Sequence, residues 1–583
     1  MISNHSELTK IQYKSLLFVA LLQGLALLLL HQALEFKWAI AESSATLFAC
    51  YSIAIILPIL SIYGISQKTT SKYYWFIGLF SLFFAALGAY TGSQIVSLSS
   101  ESLGMYSFTY GLVMTVAVFK VLLFSQALSN HSDQWYIDYN LLIQRACHLF
   151  ITLFFAALFT LAMWLILILW AELFAAINIT LFQRLFYEPW FFYPMLTLSH
   201  TLGVLKVRDN ANVVNTVNRL IQVLSLALLP LLVMLSSLFL VALLFQGMQP
   251  IWDNGGSALI FTLLIAILLT LNTALQSDEG QLLKHHWTQI ALTLGVILLP
   301  VYVAISGYGL YQRIEQYGLS VDRLWAILIW VFVAAYFICY SAAIIKYRVK
   351  WYAHLGNINT KLGLTLVAAL LATQSPLLDF RKLSVSSQLA HINSGHIDIN
   401  DVDLDYFAFN LGRPGNEALK QLQQEYGSTN PALNTRIDAV LKRVVNPYGN
   451  PDIEQLDVTT LLQPNAYLSI EQLPLPLLSR IQNYAKHTNT QLFNSKKLDI
   501  VAIDLHGDIG KEYLLIAHFE YYFEYVLFYQ LDGEWLEKSM DITHNANPFI
   551  EKQVINALIE QQYSTQEPKF KDIVVNGETM QVR

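Results

Sequence analysis

From Ala45 to Leu378 the chain repeats one pattern, a run of apolar residues broken by a short polar stretch. A helix needs about 20 mainly apolar residues to cross the hydrocarbon core of a bilayer. Runs of that length fall at 15–34, 44–65, 73–95, 106–128, 148–170, 188–206, 220–246, 257–274, 288–309, 323–346 and 362–378. No water-soluble fold buries so many long apolar runs in one chain. The expectation is therefore a membrane all-α bundle of about eleven transmembrane helices over 1–378. Composition agrees, since only 13% of the 583 residues are charged, about half the usual share in soluble domains. The N-terminal run 15–34 is too long for the apolar part of a cleaved signal and is read as a retained span.

Two runs test the count. Residues 188–206 contain Pro189, Pro194 and His200 and fit either a crossing or a re-entrant piece, while 362–378 is short but uncharged. Lys and Arg are retained on the cytoplasmic side, so loop charge separates the readings. Eleven crossings with the N-terminus inside place 13 Lys and Arg in inner loops and 4 in outer ones. Without the run at 188–206 the split becomes 7 inside against 10 outside. The charge rule favours a crossing there. A multi-pass inner-membrane protein follows, with its last part, residues 379–583, outside the cytoplasm and, in a Gram-negative cell, periplasmic.

Residues 379–583 have soluble composition and read as a small α+β domain. Helical patterning covers 416–426, 434–444 and 549–562, and strand-like runs cover 498–503, 513–519, 525–530 and 573–575. Asp532-Gly533 between two such runs is a hairpin signal. A net charge of −6 without a basic block excludes nucleic acid as a partner. The three cysteines, Cys50, Cys147 and Cys339, all lie in or beside apolar runs, so no disulfide scaffold is expected. The bilayer is the expected partner, with an envelope protein as a second one through 379–583.

Chemistry has few places to sit. The turn from Asp504 to Glu512 has the outline of a calcium loop, with Asp504, Asp508 and Glu512 as ligands. His506 stands where a second acid belongs, and the alternative is a plain turn whose acids face water. Adjacent histidines do not share a helix face, so His285-His286 reads as a solvated loop. No phosphate-binding loop, nucleophile elbow or zinc helix is present, and no cofactor is implied. Lys120, inside an apolar run, either snorkels to the inner surface or is a buried functional cation. Arg313, Glu315, Asp322 and Arg323 bracket Tyr317-Gly318-Leu319 at the outer ends of two spans. With Tyr317 they form the candidate ligand-binding set, because an Arg fork captures carboxylate or phosphate bidentately. The competing reading is an interfacial anchor.

Trp170-Ala-Glu-Leu-Phe174, the run Gln312–Arg323, the run Asp403–Leu419 and the acidic turn Asp504–Glu512 together resemble the bacterial membrane proteins catalogued as domain of unknown function 4153. The resemblance implies a polytopic inner-membrane protein with an extracytoplasmic tail, and no activity. It also implies a fuller acidic motif at 504–512, from which His506 departs. The preferred functional reading is a non-enzymatic membrane protein presenting a periplasmic domain. The alternatives are a small-solute transporter or channel, and a membrane enzyme on a lipid-linked substrate using Glu188, Glu315 or Asp322.

Overall fold

A computed structural model of the protein describes residues 8–66, 69–96, 100–129, 139–209, 211–248, 257–274, 286–445, 458–463, 472–489, 492–493, 495, 497–503, 505, 512–519, 522–531, 533–540, 548–560, 562, 564, 573–575 and 578–580. The chain divides into two compact units, Met1–Gln388 and Leu389–Arg583.

The first unit is helical. Its principal helices are α1 (Lys10–Glu35), α2 (Ser44–Gly64), α3 (Ser71–Ser93), α4 (Ser100–Ser129), α5 (Tyr139–Ala175), α6 (Pro189–Asp209), α7 (Ala211–Gln246), α8 (Ser257–Ala274), α9 (His286–Tyr317), α10 (Val321–Tyr347), α11 (Leu355–Thr373) and α12 (Phe380–Asn393), the last of which runs on into the second unit. Among the described residues, nine helices are long and apolar enough to cross a membrane: α1 to α5, α7, α9, α10 and, with the turn before it, α11. The protein is therefore a multi-pass membrane protein. Helix α8 is apolar but shorter, and α6 carries too much polarity to count on composition alone. Large apolar side chains such as Phe108 on α4 and Leu244 and Phe245 on α7 are bare on the unit's outer faces, the arrangement a helix adopts when lipid covers it.

Close approach through small residues holds these helices together. On α3, Gly88 and Gly92 are spaced four apart and face α2. A Cβ on Gly92 would stand 2.3 Å from the carbonyl oxygen of Ser44, and one on Gly88 would stand 2.9 Å from that of Phe48. Such contacts replace the hydrophobic driving force that lipid removes. Helix α6 packs lengthwise against α1 and α5. A Cβ on Gly24 of α1 would meet Pro194 Cα of α6 at 2.5 Å, and Gly203 of α6 faces Ala156 of α5. Its Pro194 and His200, which the sequence presents as interruptions, are accommodated: the helix runs through Pro194, and His200 Nε2 lies 2.9 Å from the Tyr63 hydroxyl of α2. Helix α11 begins seven residues before the apolar run at 362–378 and ends at Thr373, because Asn357, Asn359 and Lys361 sit inside its first turns rather than in a loop.

The second unit adds α13 (Gly412–Tyr426), α14 (Pro431–Val445), α15 (Leu475–His487), α16 (Pro548–Ile559) and a sheet ordered β1-β2-β3-β4-β5. Strands β2 (Lys497–Ile503), β3 (Glu512–His518), β4 (Phe523–Leu531) and β5 (Glu534–Met540) are antiparallel, and β1 (Leu462–Gln463) lies parallel to β2. Period-two alternation sends Leu498, Ile500, Leu515, Val526 and Phe528 to one core with Leu477 and Ile481 of α15. Val501, Ile503, Leu514 and Ile516 point to a second core against Ile555 of α16. The hairpin expected at 532–533 joins β4 to β5, with Leu531 opposite Glu534 and Gly533 at φ +85°; Asp532 lies outside the described residues. Ile573–Val575 pairs with Glu578–Met580 as a separate ribbon.

Candidate functional site

The turn between α9 and α10 is built by helix-terminal chemistry. Helix α9 ends at Tyr317, and Gly318 takes φ +68° while its N–H donates to the Ile314 carbonyl at 2.8 Å. This left-handed cap favours glycine. Ser320 then caps α10 by accepting from the Arg323 N–H. The Arg323 guanidinium turns back and donates to the Tyr317 and Gly318 carbonyl oxygens at 3.2 and 2.8 Å, over the Tyr317 ring. A cation there also meets the negative end of the α9 dipole.

The four charges of this segment do not pair with one another. Arg313, Glu315 and Asp322 are exposed, and no described residue makes an ion pair with any of them. Arg323 is occupied by backbone carbonyls, a partner set that residue spacing does not reveal. A second element grips the same turn. From α12, Ser384 donates to the Leu319 carbonyl at 2.9 Å and Ser387 accepts from the Leu319 N–H at 3.0 Å. Gln388 donates to the Tyr317 and Leu319 carbonyls. Ser384, Ser387 and Gln388 form one helical stripe, and Ser384 is fully buried.

Directly before that stripe sits an ion pair that the composition change at 379 conceals. Asp379 and Arg381 are 3% and 8% exposed. The Arg381 Nε and Nη2 donate to the two Asp379 carboxylate oxygens at 2.8 and 3.0 Å, and the Arg381 N–H adds a third bond. Tyr90 of α3 donates to the same carboxylate at 2.6 Å, and the guanidinium lies over the Tyr106 ring of α4. Burial alone would raise the Asp379 carboxyl. The Arg381 and Tyr90 hydrogen bonds outweigh it and hold the group below the usual carboxylate range.

Near the end of α10 and the start of α11 lies a polar core. Tyr139 of α5, Asn272 of α8, Tyr340 of α10 and Asn359 of α11 meet there. Asn359 donates to the Tyr139 hydroxyl and to Asn272 Oδ1, both at 2.5 Å, and Tyr340 donates to Asn359 Oδ1. Asn272 donates to the Tyr340 hydroxyl at 3.1 Å. Four helices thus share one closed network of amides and phenols.

The metal candidates divide. Asp504 and Asp508 lie outside the described residues, as do His285 and His506. Glu512 is buried at the start of β3, where its Oε2 accepts from the Leu505 N–H at 3.0 Å. A separate charged cluster crosses β2 and β3: Asp499, 3% exposed, lies 2.8 Å from both Lys497 Nζ and His518 Nε2.

Residues 53–422 match the family model described as domain of unknown function 4153. The chain belongs to this family. The match takes in the clasped turn, the Asp379–Arg381 pair and the polar core, and it runs on through part of α13. It stops before the sheet, so the acidic turn at 504–512 lies outside the matched residues. No curated protein and no solved structure matches.

Proposed function

We propose that this family member is a non-enzymatic protein of the bacterial cytoplasmic membrane, crossing it eleven times and presenting its C-terminal unit outside the cytoplasm to an envelope partner. Contact parity carries the topological part of this reading. Two residues bonded at the same end of a helical bundle must be separated by an even number of crossings. Arg208, in the last turn of α6, donates to the Ile62 and Ile65 carbonyls at the end of α2. Between them run α3, α4, α5 and α6, which is even only if α6 crosses. Asn272, at the end of α8, bonds Tyr139 at the start of α5. The intervening helices are α5, α6, α7 and α8, whose number is even with both α6 and α8 or with neither, so counting α6 brings in α8. Tyr90, near the end of α3, bonds Asp379 after α11, and eight helices separate them when both are counted. Helix α6, with 21 residues, is about 32 Å long at 1.5 Å per residue, enough for a core of about 30 Å.

The loop-charge bias sets the direction, placing Arg208 and the polar core inside and the clasped turn with Asp379 outside. The second unit has its own apolar cores, which suits a domain displayed to a partner. Alkaline phosphatase fused after Arg583 is expected to be active, and a fluorescent protein that folds only in the cytoplasm is expected to stay dark. The reverse pattern would remove one crossing and the outward display with it. Complementation of a deletion strain by the membrane unit alone would remove the presenting role while leaving the topology intact.

A further inference from the structure

Strand β5 is one edge of the five-stranded sheet, and among the described residues its only ladder is with β4. The opposite edge is blunted by β1, two residues long, whereas β5 offers seven. An open edge of that length is a template for another strand, and charged side chains are a usual protection. β5 carries three, Glu534, Glu537 and Lys538. Glu537 is used within the unit. With Trp535 it lies on the α15 face, where Trp535 packs against the core and the carboxylate accepts from Arg480 Nε at 2.6 Å. Glu534, Leu536 and Lys538 alternate onto the other face. Both Glu534 and Lys538 are exposed, with Leu531 and Leu527 opposite them on β4.

A second copy of β5 fits this edge in one register. Neighbouring residues of a strand turn their N–H and C=O groups to opposite edges, so two copies in a regular antiparallel ladder share a two-fold axis centred on a residue. Axes at Leu536, Glu537 and Lys538 pair residues 534–538, 534–540 and 536–540, and any other axis pairs fewer. An axis at Glu537 sets two glutamates directly opposite, and one at Lys538 sets two lysines opposite. Like charges so placed are destabilising. The axis at Leu536 does the reverse. Glu534 of each copy then stands opposite Lys538 of the other, Leu536 opposite Leu536, and Trp535 opposite Glu537. The backbone agrees. Leu531 and Glu534 flank the two-residue turn and bond each other, which leaves the outward N–H and C=O groups at Trp535 and Glu537. In this register those two residues face each other and exchange both backbone hydrogen bonds, twice over by symmetry.

We propose that two copies of the chain join through β5, in an antiparallel ladder with its two-fold axis at Leu536, so that one sheet runs across the dimer. The interface is isologous, the same patch on both copies. A ladder this short buries little surface. Both copies are held in one bilayer, which supplies the effective concentration it needs.

The test uses the full-length protein carrying Cys50→Ala, Cys147→Ala and Cys339→Ala, in liposomes at low protein-to-lipid ratio. With one fluorophore per chain at the N-terminus, two-step photobleaching is expected. Leu536→Cys is expected to link the copies under mild oxidation, because Cα atoms facing each other in a non-hydrogen-bonded pair lie about 4.5 Å apart. Lys538→Cys is the register control and is expected not to link, since its two copies are offset by four residues, about 14 Å along the ladder. Lys538→Glu sets a glutamate opposite Glu534 at both ends and is expected to weaken the dimer about tenfold or more. Adding Glu534→Lys to it makes the facing charges opposite again and is expected to restore the dimer, which a folding defect would not allow. A wild type that stays monomeric would overturn the proposal and leave the edge to an extended segment of another protein. So would a dimer that Leu536→Cys fails to link, that Lys538→Cys links equally well, or that ignores the charge variants.

Discussion

Replacing Asp379 by Asn keeps the side chain's shape and an oxygen to accept from Tyr90, but it leaves the Arg381 guanidinium charged, buried and without its carboxylate. Loss of one member of a buried ion pair typically costs about 3–5 kcal/mol. Three features put this pair at the upper end: Asp379 is almost completely enclosed, the pairing is bidentate, and the carboxylate accepts two further hydrogen bonds. Arg381→Met leaves the carboxylate without its cation and is expected to cost a similar amount, although the neutral acid can form to relieve it. The double variant Asp379→Leu with Arg381→Met buries no charge and is expected to recover most of the loss, giving a coupling energy of about 2 kcal/mol or more. The assay is detergent-driven unfolding of the purified full-length protein, followed by tryptophan fluorescence. Single-variant losses below about 1 kcal/mol, the value of a solvent-exposed pair, would refute the burial argument. The sign with pH follows from a folded carboxyl held below its unfolded value. The contribution is complete above about pH 4, the unfolded carboxylate value, and is lost as pH falls through the lower folded value.

Gly24→Ala is expected to destabilise the membrane unit by about 1–3 kcal/mol, because its methyl meets Pro194 backbone at 2.5 Å, whereas Gly111→Ala, with open space around it, is expected to be silent in the same assay. Asn359→Leu deprives Tyr139, Asn272 and Tyr340 of a shared partner; a loss of about 0.6–2 kcal/mol is expected, and an unchanged unfolding midpoint would show that the network closes without it. Residues 389–583 expressed alone are expected to unfold cooperatively, and the isolated unit is expected to lose stability below about pH 4. Burial would raise the Asp499 carboxyl, but bonds from His518 and Lys497 hold it low, so its contribution disappears on acidification through the folded value. Asp499→Asn is expected to flatten that acid limb of the stability profile.

The elements were legible where one residue type repeats. Apolar runs located the long helices, and the strand-like runs at 498–503, 513–519 and 525–530 located the central strands. The glycine of the β4–β5 turn was legible because few other residues accept its conformation. The run at 188–206, which holds two prolines, forms the continuous helix α6, although its composition keeps it off the count of helices long and apolar enough to cross.

The site residues were less legible, because their meaning lies in partners remote in sequence. Arg323 next to Asp322 looks like half of a salt bridge, yet its partners are two carbonyls that exist only once α9 has ended at Gly318. Asp379 and Arg381 mark, in sequence, the return of soluble composition; Tyr90, 289 positions away, and the Tyr106 ring make them an interior pair. Asn359 made the start of α11 look like loop, although it is the hub of a core whose other members begin at Tyr139. Polar residues that are scattered one to a helix give no periodic signal, and hydropathy counts each as a small penalty against a span. A bilayer inverts that weighting. Where every backbone group is satisfied within its own helix and lipid tails compete with apolar packing, the rare polar side chain selects which helices are neighbours. In this protein the residues that weaken the case for each span one at a time are the ones that join the spans.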